Sequence, residues 1–232
     1  MKFDIITIFP EIFDFYLKHS ILDKAQKRGC FKIGIHNLRD FTKDKHQVAR
    51  PPRYAKHFGQ VDDKPFGGGR GMVLKPEPLY KAIKKIKGNK KTKVVLFTPR
   101  GKKFNQKMAT DWSKLDQLVL VSGRYEGIDE RILKNMVDEK VSMGDYVLMS
   151  GDIPALAVIE AVARLLPGVV GKSESLIKDR ITKTKGFIEY PQYTRPEALE
   201  MNGKKRKVPK VLLSGNHKEI EKWRAKNSKV IE

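Results

Sequence analysis

Apolar residues along this chain fall into two alternating rhythms. Phe3-Asp4-Ile5-Ile6-Thr7-Ile8-Phe9 reads as a buried strand stopped by Pro10. Residues 11–28 then have helical spacing, with Phe13, Tyr16, Leu17, Ile21 and Ala25 on one face. Phe31 to Ile35 reads as a second strand and residues 77–87 as a helix. Val94-Val95-Leu96-Phe97 is a strand ending at Pro99, residues 105–115 are helical, and Leu118-Val119-Leu120-Val121 is another strand. A helix over 127–137, an extended stretch near Val147-Leu148 and a strongly apolar helix over 154–166 follow. Strands alternating with helices predict an α/β domain with a largely parallel sheet. Ligands of such sheets gather at the carboxyl tips of the strands.

The rhythm stops after Pro167-Gly168, which predicts a first domain over residues 1–170. Residues 171–186 are polar without a period and read as a linker or mobile loop. A small helical domain is expected over 187–232. There Asn216, followed three residues later by Glu219, resembles a capping box opening the last helix, with Ile220 and Trp223 able to pack inward. Lys218, Lys222, Arg224 and Lys226 on that helix suit either a nucleic acid or a solvated basic face. KKRK at 204–207 is a basic cluster in a loop, weak evidence by itself for a targeting signal.

Charge changes the picture most. The 232 residues hold 48 Lys and Arg against 27 Asp and Glu, a net charge of +21. Such an excess favours a polyanion, most simply nucleic acid, through counterion release. No lone, strongly amphipathic basic helix suggests a membrane surface, and the longest apolar runs are too short to span a bilayer. The only cysteine, Cys30, excludes an intrachain disulfide, and no N-terminal charged-then-apolar signal pattern is present, so a cytoplasmic setting is expected. The five histidines are scattered without zinc spacing.

The glycine-rich stretch VDDKPFGGGRGM, residues 61–72, invites a phosphate-loop reading. The Walker pattern would require Lys and Ser or Thr after the last glycine, but Met72 and Val73 follow Gly71. The dinucleotide fingerprint would require glycine at 72 and an apolar strand leading in, and neither is present. Bare main chain for close approach, or a turn cluster, remains.

Three further stretches sit where a strand passes into a loop: TPRG at 98–101, SGRYEGIDER at 122–131 and SMGDYVLMSGDIPA at 142–155. Together they could line one pocket. Taken in order with DDKPFGGGRGM, YPQYTRPEAL and LLSGNH, they closely resemble the bacterial tRNA (guanine-N1)-methyltransferase family of TrmD type, over nearly the whole chain.

That resemblance implies an α/β SPOUT-type domain with a deep trefoil knot, which no default topology argument would propose. It implies a homodimer whose active sites lie at the subunit interface, and S-adenosylmethionine as methyl donor. Carried over residue by residue, the donor loops are Leu96, Thr98 and Pro99; Gly123, Glu126 and Gly127; Met143, Gly144, Asp145, Tyr146, Val147 and Leu148; then Gly151 and Pro154. The implied reaction methylates N1 of guanosine at tRNA position 37, beside the anticodon, which maintains the reading frame. N1 must lose a proton to become a nucleophile, so a base is needed, and a cation for charge on O6. The matching residues are Asp179 and Arg164. The glycine loop would face the flipped-out guanine, with Asp62, Gly71 and His46 as substrate-binding positions. Magnesium dependence is also suggested, although no carboxylate cluster marks a metal cage.

Read alone, Asp179 is a solvated linker carboxylate, and Arg164 is half of an i,i+4 pair with Glu160. The chain also departs from the family pattern. Residues 47–60 look like an insertion that either adds RNA contacts or forms a neutral surface loop. Arg180 and Ile181 follow Asp179 where Ser and an aromatic are usual, and Ser150-Gly151 replaces Gly-Gly. The chain ends at Glu232, where many relatives continue through a basic segment. Three rivals stand beside this reading: a methyltransferase of the same class acting on another RNA, an RNA-binding protein without catalysis, and a phosphate-loop hydrolase.

Overall fold

The computed structural model describes residues 1–42, 59–88, 91–170, 181–182 and 186–231. They fall into two compact units, Met1–Gly171 and Lys172–Glu232. Of the sequence features above, residues 47–58, His46, Asp179, Arg180 and the rest of the expected linker apart from residues 181–182 and 186 lie outside the described residues.

The first unit is built on a five-stranded sheet. Its strands are β1 (Lys2–Thr7), β2 (Lys32–Asn37), β5 (Thr92–Lys103), β6 (Gln117–Val121) and β7 (Glu139–Ser142), in the order β2-β1-β6-β5-β7. Every neighbouring pair is parallel. A short antiparallel pair, β3 (Asp62–Asp63) with β4 (Val73–Leu74), stands beside it. The alternation of β1 sends Phe3 and Ile5 into one core and Ile6 into another. The first core is closed by α1 (Glu11–Leu17), α2 (Ser20–Lys27), α4 (Gln106–Trp112) and α6 (Asp152–Ala163). The second is closed by α3 (Pro76–Ile86) and α5 (Glu130–Asn135). Helices on both faces explain why the central strands read as continuous apolar runs rather than alternating ones.

Three sequence expectations need correction. Residues 11–28 form two helices, not one: the chain breaks at Lys18-His19, and Ser20 takes a left-handed φ of 54°. The break turns the second helix, so Leu22 is buried with Phe13, Leu17 and Ala25, while Tyr16 and Ile21 are 43% and 41% exposed. Second, β5 runs through Pro99 to Lys103. Its pairing with β7 shifts register between Phe97 and Lys102, so the missing N–H of Pro99 falls where no ladder bond is needed. Third, the extended element near Val147-Leu148 is irregular; the strand is β7, four residues long and just upstream.

The second unit contains the expected last helix, α8 (His217–Asn227), a short helix α7 (Lys210–Leu213) before it, and strands beside them. These are a three-stranded antiparallel sheet of β8 (Ile181–Thr182), β9 (Gly186–Glu189) and β12 (Lys229–Ile231), and a hairpin of β10 (Ala198–Met201) with β11 (Lys204–Lys207). KKRK is therefore the exposed strand β11 rather than a loop. Trp223 of α8 packs edge-on against Tyr193, with ring centroids 6.1 Å apart.

Candidate functional site

The carboxyl tips of β6 and β7 and the middle of β5, about its register shift, open onto one cleft of about 350 Å³. Leu96 reaches it from the regularly paired part of β5, and Thr98 and Pro99 from the irregular stretch that follows. Gly123, Glu126 and Gly127 come from the loop after β6, and Met143, Tyr146, Val147 and Leu148 from the loop after β7. Gly151 and Pro154 close it from the start of α6. Twelve of the fourteen donor-site residues expected from sequence thus share one cavity. Gly144 and Asp145 stand outside its lining. The Asp145 carboxylate turns instead to an ion pair with Lys103.

The loops are tied to one another by main chain. Gly151 N–H donates to the Gly123 carbonyl at 2.9 Å. A side chain at Gly151 would place its Cβ 2.9 Å from the Ser122 Cα, so only glycine permits this approach. Tyr125, at the tip of the second loop, holds a left-handed φ of 61°. Such a conformation in a bulky residue marks a loop over-determined by its surroundings.

The cleft includes residues to which the sequence assigned no role, notably Arg100, and Arg124 and Tyr125 within the expected loop Gly123 to Gly127. All three lie inside TPRG and SGRYEGIDER, so the motif boundaries held the signal. The last part of the second motif is structural. Asp129 caps α5 by accepting from Arg131 N–H at 2.9 Å, and it also takes the Arg131 guanidinium at 2.8 Å. That guanidinium, foremost, holds the Asp129 carboxyl below its ordinary range despite some burial.

The glycine cluster joins the cleft through Glu126. Glu126 N–H donates to the Met72 carbonyl at 3.0 Å, and Leu74 N–H to the Gly127 carbonyl at 3.0 Å. Gly71 has φ 85°, and a Cβ there would lie 2.5 Å from the Glu126 side chain. Bare backbone is therefore needed at Gly71 both for its conformation and for the carboxylate beside it. Asp62 lies opposite Leu74 in the adjoining β3–β4 pair.

Arg164 is not at this cleft. It caps the carboxyl end of α6, whose first turn lines the cavity. Twelve helical residues at ~1.5 Å each separate the two ends by about 18 Å. The expected pair with Glu160 is not formed: Glu160 accepts instead from the Tyr16 hydroxyl, and the exposed Arg164 guanidinium has no ion-pair partner among the described residues.

Among the described residues, no group of three or more His, Cys, Asp or Glu could hold a metal ion. Nor is any described helix long and apolar enough to cross a membrane.

Comparison with known proteins bears on this geometry. The model of the family described as tRNA (Guanine-1)-methyltransferase TrmD matches residues 1–231. A tRNA (guanine-N(1)-)-methyltransferase of Dictyoglomus turgidum is 46% identical over 228 residues, covering 98% of this chain and 85% of that protein. Its counterpart from Clostridium novyi is 46% identical over 231 residues, covering 100% of this chain and 88% of the relative. The crystal structure of tRNA (m1G37) methyltransferase from Aquifex aeolicus superposes with a TM-score of 0.72 at 42% identity, over 96% of this chain and 87% of that one. A whole-length family match, whole-length relatives at this identity and a shared fold agree: the chain belongs to the tRNA (guanine-N1)-methyltransferase family of TrmD type.

Proposed function

We propose that the strand-end cleft binds S-adenosylmethionine and that this chain methylates N1 of guanosine 37 in tRNA. The observation that carries the reading is the convergence of three loops and the start of α6 on one cavity, with the glycine cluster joined to it through Glu126. The residues suit the donor. Leu96, Leu133 and Pro154 supply apolar wall for the face of a base, Gly123 and Gly127 let it approach main chain, and Glu126 offers a carboxylate to an ammonium group. When bound, S-adenosylmethionine supplies an electrophilic methyl group on a sulfonium centre.

The remaining steps fall to side chains. Asp179 removes the N1 proton, and Arg164 stabilises the charge that develops on O6, where its planar fork meets the oxygen. Arg164 stands ten residues, about 15 Å, along α6 from Pro154, the last residue of that helix to line the cleft of its own chain. This separation supports a homodimer in which Arg164 of a second copy completes the site. The trefoil knot is proposed from the family match and the shared fold.

The C-terminal unit contributes grip on tRNA through the exposed strand β11 and the cations of α8. Lys222 and Arg224 are partly committed to Glu219 and Glu221, so β11 is the stronger candidate. Magnesium would enter with the RNA or by way of residues outside the described set. A cytoplasmic location accords with an RNA substrate.

The test is methyl transfer to unmodified tRNA transcripts that differ only in carrying guanosine or adenosine at position 37, with the product base identified by mass. N1-methylguanosine from the first transcript alone is expected. Methylation of both, or tight salt-sensitive tRNA binding without product, would replace this reading with one of the rivals.

A further inference from the structure

One buried carboxylate lies behind the cleft and does not line it. Asp152, the first residue of α6, is 1% exposed. Its Oδ1 accepts from the Thr7 hydroxyl at 2.8 Å and from the Ser122 hydroxyl at 2.6 Å. Its Oδ2 accepts from Arg124 Nε at 3.1 Å and Nη2 at 2.7 Å. The same guanidinium lies over the Phe9 ring, 4.4 Å from its centroid. The Asp152 N–H donates to Ser150 Oγ at 3.2 Å. A buried carboxylate is tolerated only when so fully paired.

The partners reveal the use of this arrangement. Thr7 ends β1, Ser122 follows β6, and Asp152 begins α6, so one carboxylate joins three elements at the carboxyl edge of the sheet. Neither Thr7, Ser122 nor Asp152 lines the cleft. Each of the last two is chain neighbour to a glycine that does, Gly123 and Gly151, and those glycines are hydrogen-bonded to each other. Arg124 does line the cleft, and Asp152 holds its guanidinium against Phe9.

We propose that Asp152 is a positioning residue for the methyl donor, fixing the loop after β6 against the start of α6 so that the cleft is preformed before the donor arrives. The inference rests on the reading of that cleft as the donor site. Both α6 and Arg124 favour a carboxylate here, the helix through the positive end of its dipole and Arg124 through its charge. Asparagine would keep the shape but remove the charge that pairs with Arg124, and its amide would require the Thr7 and Ser122 hydroxyls to accept instead of donate. The loops would then lose their common anchor while staying in the chain, and the donor would have to order them on binding.

The experiment measures equilibrium binding of S-adenosylmethionine and of unmodified tRNA to the full chain, together with thermal unfolding, for the wild type, Asp152→Asn and Ser122→Ala. Loss of hydrogen bonds to a charged group should weaken donor binding about tenfold in Asp152→Asn, and less in Ser122→Ala. Binding of tRNA should stay within about twofold, because the basic surface supplies it. If Asp152→Asn does not fold, Ser122→Ala carries the test alone, since it removes one bond of four and leaves the ion pair. Variants with lowered thermal stability and unchanged donor affinity would show a mere strut and overturn the proposal. A wild type that binds no donor would instead overturn the reading of the cleft, and this inference with it.

Discussion

Asp4 shows how little a single residue discloses before folding. In the sequence it is an acidic interruption in a buried strand. In the structure its carboxylate is fully buried, with Lys2 Nζ at 2.8 Å, His36 Nε2 at 2.7 Å and Gln117 Nε2 at 2.6 Å. A carboxylate only accepts, so the His36 nitrogen facing it carries the proton. Gln117 lies 113 positions away, and no spacing rule could have paired them. Burial pushes the Asp4 carboxyl up, yet the hydrogen bonds from His36, Lys2 and Gln117 and the Lys2 charge together hold it below the ordinary 3.8. A carboxyl lowered on folding stabilises the native state above its unfolded value, and that contribution disappears as pH falls through the folded value. The chain should therefore lose stability below pH 3.8. Asp4→Asn should cost roughly 2 kcal/mol at neutral pH and flatten the loss between neutral and acid pH. Urea unfolding of both proteins across that range checks it, and parallel pH curves would remove Asp4 from the explanation.

Elements were legible where packing repeats a period, and obscure where it does not. The apolar runs of β1, β5 and β6 are buried on both faces, which is why they were plain in the sequence. Strand β7, with sequence EKVS, lies at the sheet edge and is only half-buried, so it carries no run to read. The single long helix expected over 11–28 was a wrong inference from a right period: each half keeps 3.6 residues per turn, but Ser20 resets the phase. The C-terminal strands were missed for a related reason, since β11 is four consecutive basic residues with an exposed pattern. The cap on α8 was read correctly in part. Asn216 Oδ1 accepts from Glu219 N–H at 3.3 Å, but the Glu219 carboxylate pairs with Lys222 rather than reaching back. Half a capping box predicts an ordinary cap: Asn216→Ala should lower stability by about 1 kcal/mol. Thermal unfolding should register the loss, while an unchanged transition would mean that α8 is held by Trp223 and Ile220 alone.

At the scale of the molecule, the cleft was legible because its residues sit in contiguous motifs, whereas the distance between Arg164 and that cleft was not. Motif matching places residues in one site without saying which copy supplies them. Along α6 the cavity lies at one end and Arg164 at the other, and no side-chain motion spans the roughly 15 Å from Pro154. The account therefore makes the working unit two chains, with the donor held by one and the cation for O6 provided by the other. This claim is open to a mixing experiment. Arg164→Ala removes the cation, and Gly151→Ala blocks the donor cleft through contact with Ser122 and Gly123. Each purified variant, once shown to be folded and dimeric, should be inactive alone in methyl transfer to guanosine-37 tRNA. Unfolded together and refolded at equal concentration, they should recover about a quarter of wild-type activity, since half of random dimers are mixed and each mixed dimer holds one intact site. Activity no greater than that of the separate variants would contradict the account and place Arg164 in the service of its own chain, or outside the reaction.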